Sequence, residues 1–454
     1  MDRIADERRP RVVVVGAGFG GLQLARALAG APLEVLLVDR QNYHLFTPLL
    51  YQVASSLLNP SDIAFPVRAM FRDTPNVRYR QAEVTAVDLG RRRLELGGGE
   101  RLEYDYLVLA TGSTTNYFGN ASIEARALGL KNLPEALELR NHSLACLEAA
   151  SHEPDEAERA RLMTTVIVGG GPTGVEYAGA LSELMALVLD GEYPIPRALG
   201  RIVLVEAQER LLAAFRPELG RYTEERLAAM GVEVKLGVRV TEAHDDHVLL
   251  SDGTRVESRT LVWSAGVRAA DVEEPLPVPH ARGGRLEVDA YLRVGGLAHA
   301  FAIGDLAGAR DDGKELPMLS APAMQQGRFV ARYLRDVAAG RDPERRGPYR
   351  YKDKGIMAVI GRNAAVAELG GMTFTGFVGW AVWLLVHIYF LIGFRNRLAV
   401  LWTWWWNYVR RDRPVRIISS SPPPRLLEQE RLRALVVSDT GPRSLRSPAP
   451  PREP

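Results

Sequence analysis

Two glycine-rich loops carry the chemistry that is easiest to recognise in this sequence. The first has glycines at positions 16, 18 and 21, directly after the β-branched run at 12–15. In such a G-x-G-x-x-G pattern Gly16 permits a tight turn, Gly18 lets the backbone approach a pyrophosphate, and Gly21 lets the following helix pack against the strand. Asp39 ends the next predicted strand, where a carboxylate accepts hydrogen bonds from ribose hydroxyls. The loop therefore predicts a dinucleotide site.

The second loop repeats this arrangement after its own strand. Its glycines are Gly169, Gly171 and Gly174, and Glu206 takes the acidic position. The alternative, a packing turn with a solvated glutamate, is less favoured because two such loops occur in register. Proteins with two sites of this kind usually hold one flavin permanently and exchange one nicotinamide. A carboxylate at 206 favours NADH over NADPH, although Arg210 nearby could offset that preference.

The elements around the loops predict an α/β fold with an internal duplication. We expect strands at 12–15, 35–39, 165–168, 202–206 and 300–305, and helices at 22–29, 133–150 and 321–339. Residues 77–109 and 232–256 are predicted to be antiparallel insertions, and 151–161 a polar link. Each half thus runs strand, glycine loop, helix, strand, hairpin, strand and glycine turn.

Composition limits the remaining classes of function. A chain of 454 residues predicts two or three domains. A net charge of +2, without a basic run interleaved with aromatic residues, argues against nucleic-acid binding. Cys146 is the single cysteine, so we expect no disulfide framework, no metal site and no redox-active cysteine pair. The N-terminus lacks the apolar stretch of a secretory signal.

The C-terminal region has the composition of a membrane interface. Residues 374–394 carry no Asp, Glu, Lys or Arg, but Gly376 and Gly379 predict a poor helical start and about 15 firmly helical residues. An Arg-Asn-Arg interruption at 395–397 precedes a second apolar run, 398–409, that is rich in tryptophan. Arginines follow at 410, 411, 413 and 416. We expect two amphipathic helices in one leaflet; a buried core helix and a dimer interface are the alternatives. Residues 419–454 are predicted to be a disordered, Pro- and Arg-rich tail.

These residues resemble the type II (non-proton-pumping) NADH:quinone oxidoreductases over residues 10–415. The resemblance rests on the first glycine loop at 14–21, the segment His-Leu-Phe-Thr-Pro-Leu-Leu-Tyr at 44–51, Ala-Thr-Gly at 110–112, the second loop at 169–176, Ala-Ile-Gly-Asp at 302–305, Gln-Gln-Gly at 325–327 and the aromatic C-terminus. This sequence has Pro322 where the family usually has a glutamine, so it departs from the family's quinone site at that position.

The resemblance implies a role for each matched residue. FAD would be held by Gly16, Gly18, Gly21, Asp39, Thr111, Gly112 and Asp305, with Thr47 and Pro48 near the isoalloxazine ring. NADH would be held by Gly169, Gly171, Gly174 and Glu206, and the turn residues Ala265 and Gly266 join the cofactor-binding set. The catalytic residues would be Glu176 near the nicotinamide end, and Gln325 and Gln326 near the quinone. Glu176 as a carboxylate that merely favours the helix dipole, and the two glutamines as exposed residues without a role, are the alternatives.

The expected architecture is two Rossmann-like dinucleotide-binding domains, for FAD and NADH, plus a C-terminal amphipathic membrane-associating region. The FAD domain would take residues 10–115 and 285–345, the NADH domain 116–284, the membrane-associating region 346–418 and the tail 419–454. The expected activity is hydride transfer from NADH to FAD and electron transfer to a membrane quinone, at an anionic lipid surface on the cytoplasmic face of the cell membrane. Lys354 or His387 would assist protonation. A membrane-bound redox sensor without turnover, or a reductase with another acceptor, is the alternative, and homodimerisation stays open.

Overall fold

The structure, a computed structural model, describes residues 8–189, 191–270, 272 and 276–419. The first series of elements is β1 (Arg11–Val15), α1 (Phe19–Ala27), β2 (Glu34–Asp39), β3 (Tyr43–Leu45), α2 (Leu50–Ala54), α3 (Pro60–Ile63), β4 (Ala64–Pro66), α4 (Val67–Met70), β5 (Val77–Gln81), β6 (Val84–Asp88), β7 (Arg93–Leu96), β8 (Arg101–Glu103) and β9 (Tyr106–Leu109).

The second series is β10 (Ser113–Thr115), α5 (Ala121–Arg126), β11 (Leu128–Gly129), α6 (Leu133–His152), α7 (Glu156–Met163), β12 (Thr164–Val168), α8 (Pro172–Leu189), β13 (Arg201–Val205), α9 (Pro217–Ala229), β14 (Val232–Lys235), β15 (Val240–Ala243), β16 (His247–Leu250), β17 (Arg255–Glu257), β18 (Thr260–Trp263) and β19 (Val267–Ala269). The last is β20 (Ala300–Ala302), β21 (Arg310–Asp311), β22 (Lys314–Glu315), α10 (Ser320–Ala338), β23 (Ile356–Gly361), β24 (Ala364–Leu369), β25 (Met372–Thr375), α11 (Gly376–Phe390) and α12 (Phe394–Arg410).

Two parallel sheets of the same design place the glycine loops. One has the order β20-β9-β1-β2-β5 and the other β11-β18-β12-β13-β14. The strand before each loop, β1 or β12, lies between the next strand along the chain and a strand that returns later. Both are buried on their two faces, which explains their continuous β-branched runs. The predicted α/β fold and its internal duplication are confirmed.

Parts of the predicted antiparallel insertions belong instead to these sheets. β5 pairs with β2 in parallel, and β14 pairs with β13 in parallel. Within the two predicted insertions, only β6–β8 and β15–β17 form three-stranded antiparallel sheets. The prediction was wrong for β5 because an edge strand of a parallel sheet is half exposed, so its alternating pattern resembles that of an antiparallel strand.

The predicted polar link at 151–161 is also partly wrong, since α7 begins at Glu156. Asp155 caps this helix by accepting a hydrogen bond from the backbone N–H of Ala157 at 3.0 Å. Glu158 accepts bonds from Arg161 and Arg259, and these ion pairs stabilise a helix whose composition is mostly polar.

The C-terminal region contains two helices and the antiparallel sheet β23-β24-β25, against which α11 packs. α11 has the predicted 15 residues but starts at Gly376, so the expected poor start is wrong. Gly379 has a packing reason, because a Cβ there would lie 2.7 Å from the carbonyl oxygen of Ala365 on β24. None of the helices in the described residues is long and apolar enough to cross a membrane.

The break between the two helices lies before 395–397 rather than at those residues. Gly393, with φ +89°, ends the link, and α12 begins at Phe394. The polar side chains that suggested an interruption turn back onto the protein: Asn396 donates to the carbonyl of Ser61 at 3.0 Å, and Arg397 donates to Leu391 at 2.7 Å. The predicted tail, apart from Ser419, lies outside the described residues.

Candidate active site

The first glycine loop is shaped by contacts that only glycine permits. Gly16 has φ +106°, and a Cβ on Gly21 would lie 1.9 Å from the Gly16 carbonyl oxygen. A Cβ on Gly18 would meet nothing within 4 Å, so the backbone is open on that side. Asp39 is fixed to this loop, because its carboxylate accepts hydrogen bonds from the backbone N–H groups of Ala17 at 2.6 Å and Gln41 at 2.7 Å. Burial raises the pKa of Asp39, and these bonds oppose the shift.

The second loop reproduces this geometry. Gly169 has φ +111°, and a Cβ on Gly174 would lie 1.9 Å from the Gly169 carbonyl oxygen, whereas Gly171 is open. The carboxylate of Glu206 accepts from the backbone N–H of Gly170 at 2.5 Å and from Gln208 at 2.8 Å. Each loop thus presents an exposed backbone and a carboxylate locked beside it, as a pyrophosphate with an attached ribose requires.

The Arg210 side chain, which the sequence suggests as an offset to the charge of Glu206, is engaged elsewhere. Its guanidinium donates to the carbonyl oxygens of Ala213 at 2.6 Å and Phe215 at 3.1 Å.

The predicted turn residues Thr111 and Gly112 directly precede Ser113, which contacts Asp305 at the carboxyl end of the first sheet. The hydroxyl of Thr111 donates to the carbonyl of Ala270, and Gly112 has φ +81°. The hydroxyl of Ser113 donates to the carboxylate of Asp305, and the Lys131 ammonium lies 3.8 Å from it. Sequence reasoning missed Ser113, although it follows Gly112 directly, and missed Lys131, which carries no motif.

The segment from His44 to Pro48 lies against the first glycine loop. His44 is buried, its Nδ1–H donates to the carbonyl of Ala17 at 2.8 Å, and burial lowers its pKa to about 4. Because this neutral ring fixes the segment, Thr47, which is exposed, and Pro48, which is half-buried, are held near the loop.

Glu176 lies in a cavity under the C-terminal helices. The cavity, of about 70 Å³, is lined by side chains of α2, α8, α11 and α12 and by β23. The carboxyl group is buried, and its pKa is raised to about 8 because burial outweighs the backbone N–H of Val359 and the indole of Trp383. Its place near the nicotinamide end stays a prediction; the structure places it among the indoles of Trp380, Trp383 and Trp404.

The two adjacent glutamines on α10 do not point to one ligand. Gln325 donates to the Lys352 carbonyl oxygen at 2.9 Å and accepts from its N–H at 3.0 Å. Gln326 is buried, its Oε1 accepts from the backbone N–H of Gly304 at 2.6 Å, and its Nε2 has no partner among the described residues. Gln326 therefore faces the Asp305 turn, while Gln325 holds the segment that contains Lys352.

The turn at Ala265 and Gly266 ends β18 beside the second loop. A Cβ on Gly169 would lie 2.9 Å from the Ala265 nitrogen, and one on Gly266 would lie 2.7 Å from the ring of Phe118. Phe118 is two-thirds exposed. Sequence reasoning did not single it out, because a lone aromatic residue in a loop has no pattern.

The comparisons with known proteins agree with this arrangement. The pyridine nucleotide-disulphide oxidoreductase family model matches residues 10–327. The type II NADH:quinone oxidoreductase Ndh of Mycobacterium tuberculosis is 38% identical over 409 residues, which cover 87% of this chain and 88% of that protein. The chain belongs to the type II NADH:quinone oxidoreductase family. A second such oxidoreductase of the same organism, NdhA, is 37% identical over 426 residues, with 91% of this chain and 90% of that protein covered. The predicted resemblance is confirmed.

A solved structure has the same fold. The NDH2 protein of Plasmodium falciparum, in complex with NADH, superposes with a TM-score of 0.83 at 19% identity, covering 90% of this chain and 100% of that one. The disulfide chemistry in the name of the family model does not apply here. Cys146, the single cysteine, is buried, and burial raises its pKa to about 12, so that the thiol stays protonated.

Proposed function

We propose that this chain is a membrane-associated flavoprotein that transfers hydride from NADH to FAD and two electrons on to a membrane quinone, without proton pumping. The observation that carries the proposal is the duplicated pair of a glycine loop and a carboxylate, Ala17–Asp39 and Gly170–Glu206. FAD, when bound, supplies the redox chemistry, because it accepts hydride and releases electrons in pairs.

The residues of the first loop fit FAD. Gly18 leaves the space that a pyrophosphate needs, and Asp39 has lone pairs left for ribose hydroxyls. The carboxylate of Asp305, oriented by Ser113, would accept from the hydroxyls of the ribityl chain. The unpartnered Nε2 of Gln326 would find an acceptor on the cofactor beside Gly304.

The second loop fits NADH as the exchanging substrate. Glu206 is half-buried and anionic, so it would accept bonds from a free 2′-hydroxyl and repel a 2′-phosphate. The exposed ring of Phe118 beside Gly266 marks the open side of this site.

The cavity that contains Glu176 fits the approach of a quinone headgroup. Its wall is mostly apolar and aromatic, and it lies between α2, which follows Thr47 and Pro48 closely in the sequence, and the exposed C-terminal helices. A carboxyl group with a pKa of about 8 is protonated at neutral pH, so Glu176 would deliver a proton to the reduced quinone. His387 is a poorer donor, since burial lowers its pKa to about 4, and Lys354 lines a different cavity.

The outer face of α11 and α12 would dip into a lipid surface. Its large apolar side chains are exposed, with Leu385 at 69%, Tyr389 at 71% and Trp402 at 63%. Arg395, Arg410 and Arg411 are exposed on or beside the same helices and would attract anionic headgroups. We propose a peripheral position on the cytoplasmic face of the cell membrane, which suits a chain whose single cysteine is a free thiol. The alternative is that a second copy of this chain covers the same face and forms a homodimer.

Purification of the full chain tests this function directly. FAD should copurify, NADH should bleach its absorbance, and NADH oxidation should continue with a soluble quinone analogue. A protein without FAD would contradict the proposal. Bleaching in a single turnover, without steady oxidation by any quinone, would instead support the redox sensor.

A further inference from the structure

A second, basic cavity lies between α10 and the segment 343–354. It has a volume of about 530 Å³ and is separate from the cavity that contains Glu176. Five residues of α10 line it, at 325, 328, 329, 332 and 333; these are positions i, i+3, i+4, i+7 and i+8, which share one face of the helix. Gln325 fastens this face to the opposite wall through its two bonds with the backbone of Lys352.

The wall of this cavity concentrates positive charge. Its lining includes Arg328, Arg332, Arg346, Arg350, Lys352 and Lys354, and none of its lining residues in the described chain is acidic. Two of these cations have carboxylate partners just outside the lining: Arg346 pairs with Asp336, and Arg350 with Asp311 and Asp312.

The other four cations have no carboxylate within ion-pair distance in the described part of the chain. Arg328 donates only to the neutral side-chain oxygen of Gln23, at 3.1 Å. Like charges around one concave surface raise the energy of the empty cavity and attract an anion into it.

A buried hydroxyl adds a second, independent indication of a ligand. Tyr349 lines the cavity, is 6% exposed, and its hydroxyl has no hydrogen-bond partner within the described residues. An unsatisfied buried hydroxyl costs free energy that an acceptor on a ligand would restore. The rings of Phe329 and Tyr349 pack edge to face, with their centroids 5.5 Å apart. This pair gives the same wall an apolar part.

We propose that this cavity binds a phosphate-bearing anion. The four unpaired cations present many donors, and a phosphate monoester or a pyrophosphate offers at least three terminal oxygens and more than one negative charge, whereas a carboxylate offers two oxygens and one charge. The phosphate would come from a free metabolite or from a lipid headgroup. Gln325 lines this cavity, whereas Gln326 on the same helix faces the Asp305 turn. Anion binding in the cavity therefore does not require electron transfer.

Calorimetry with the full-length holoprotein tests this site. Saturating NAD⁺ occupies the exchanging dinucleotide site and bound FAD the other, so that inorganic pyrophosphate reports on the cavity alone. Vesicles of phosphatidylcholine with and without phosphatidylglycerol serve as the lipid probe. The double variant Arg332→Gln/Lys352→Gln removes two unpaired cations. Arg78→Gln/Arg239→Gln removes two exposed cations elsewhere and is the matched control.

We expect the cavity variant to weaken pyrophosphate binding at least about tenfold, the control to change it less than about twofold, and Arg332→Lys to stay near wild type. If pyrophosphate does not bind, but the cavity variant weakens binding to anionic vesicles and the control does not, the ligand is a lipid headgroup and the site stands. The proposal is overturned if pyrophosphate does not bind and the cavity variant binds vesicles as the wild type does, or if the cavity variant and the control lose equal affinity.

Discussion

The carboxylate of Glu206 is joined to the backbone N–H of Gly170 by a hydrogen bond of 2.5 Å. Asp39 and Ala17 form the equivalent bond, of 2.6 Å, in the first half of the chain. Each acidic side chain is therefore fixed in position by the glycine loop beside it. A ligand bound through its pyrophosphate meets a carboxylate already in position, so little side-chain entropy is lost on binding.

Replacing Glu206 with Gln should erode the preference for NADH. The amide keeps an acceptor for Gly170 but loses the charge that repels a 2′-phosphate. The ratio of kcat/KM for NADH to that for NADPH should fall about tenfold, equivalent to about 1.4 kcal/mol. Steady-state kinetics with both nucleotides measure this. Glu209→Gln, an exposed neighbour, is the control; equal ratios in the wild type and Glu206→Gln would remove Glu206 from selectivity.

Two glycines of the second loop should respond differently to a methyl group. Gly171→Ala meets nothing within 4 Å, so the free protein should keep its Tm and FAD content, while KM for NADH rises about tenfold or more. Gly174→Ala places Cβ 1.9 Å from the Gly169 carbonyl oxygen and should cost about 1–3 kcal/mol of stability. Thermal unfolding and NADH titration separate the two effects. Unchanged NADH binding in Gly171→Ala would argue that the pyrophosphate lies elsewhere.

The sequence was most informative where the chemistry is local. Gly16, Gly169 and their carboxylates could be predicted because each strand, turn and acid lies within about 40 residues of one continuous pattern. Long-range pairs have no such signal. Ser113 meets Asp305 across 192 residues, and Arg413 meets Glu183 across 230.

The same limit explains the errors in the fold. β5 was assigned to the wrong sheet because side-chain alternation reports exposure and not the direction of the neighbouring strand. The polar composition of α7 gave no sign of a helix, because the ion pair that stabilises it joins Glu158 to the distant Arg259. Gln325 and Gln326 are adjacent in sequence, but successive positions on a helix point about 100° apart. Gln325 therefore contacts Lys352, whereas Gln326 contacts Gly304.

Glu176→Gln should change the pH profile of quinone reduction. With a pKa of about 8, the protonated carboxyl of the wild type is lost as pH rises above 8, and the quinone-dependent rate should fall with it. The amide has no proton to lose, so the variant should be slower at neutral pH and flat across this range. Flavin reduction by NADH, measured by stopped flow, should stay unchanged if Glu176 serves the quinone, whereas a place near the nicotinamide end would slow it. A variant that keeps the wild-type limb near pH 8 would assign it to another group.

The same carboxyl group should make the folding stability depend on pH. Its pKa rises from 4.5 to about 8 on folding, so between these values the folded state binds the extra proton. Stability from this group is present below pH 4.5 and falls as pH rises towards 8, by about 1.4 kcal/mol per unit. Urea unfolding at several pH values should show this slope in the wild type and not in Glu176→Gln. The exposed Glu218→Gln should retain it.

Arg413 should be a strong tether between the C-terminal segment and the rest of the protein. Its buried guanidinium donates to the carbonyl of Ser55 at 2.7 Å and to Glu183 at 2.9 Å. Because Glu183 is about a third exposed, Arg413→Ala should cost about 1–3 kcal/mol, less than a fully buried pair. Arg416→Ala breaks a more exposed pair with Glu192 and should cost under about 1 kcal/mol. Equal costs in urea unfolding would contradict the tether.

Two exposed aromatic residues should control membrane binding. Tyr389 and Trp402 lie on the outer faces of α11 and α12, at 71% and 63% exposure, so Tyr389→Ser/Trp402→Ser should fold normally. Inserting both rings into lipid buries apolar area, and their loss should lower the partition onto vesicles with phosphatidylglycerol at least about tenfold. The control Leu319→Ser removes an exposed apolar side chain outside these two helices.

Cosedimentation with vesicles measures this partition, and NADH oxidation with a soluble quinone analogue should be unaffected in both variants. Deleting α11 and α12 is a weaker test, because Trp383 and Val400 on these helices are part of the core and their loss would unfold the region. Equal partition of variant and control would refute the lipid face. If the variant instead changes the sedimentation coefficient of the free protein from dimer to monomer, the occupant of this face is a second copy of the chain.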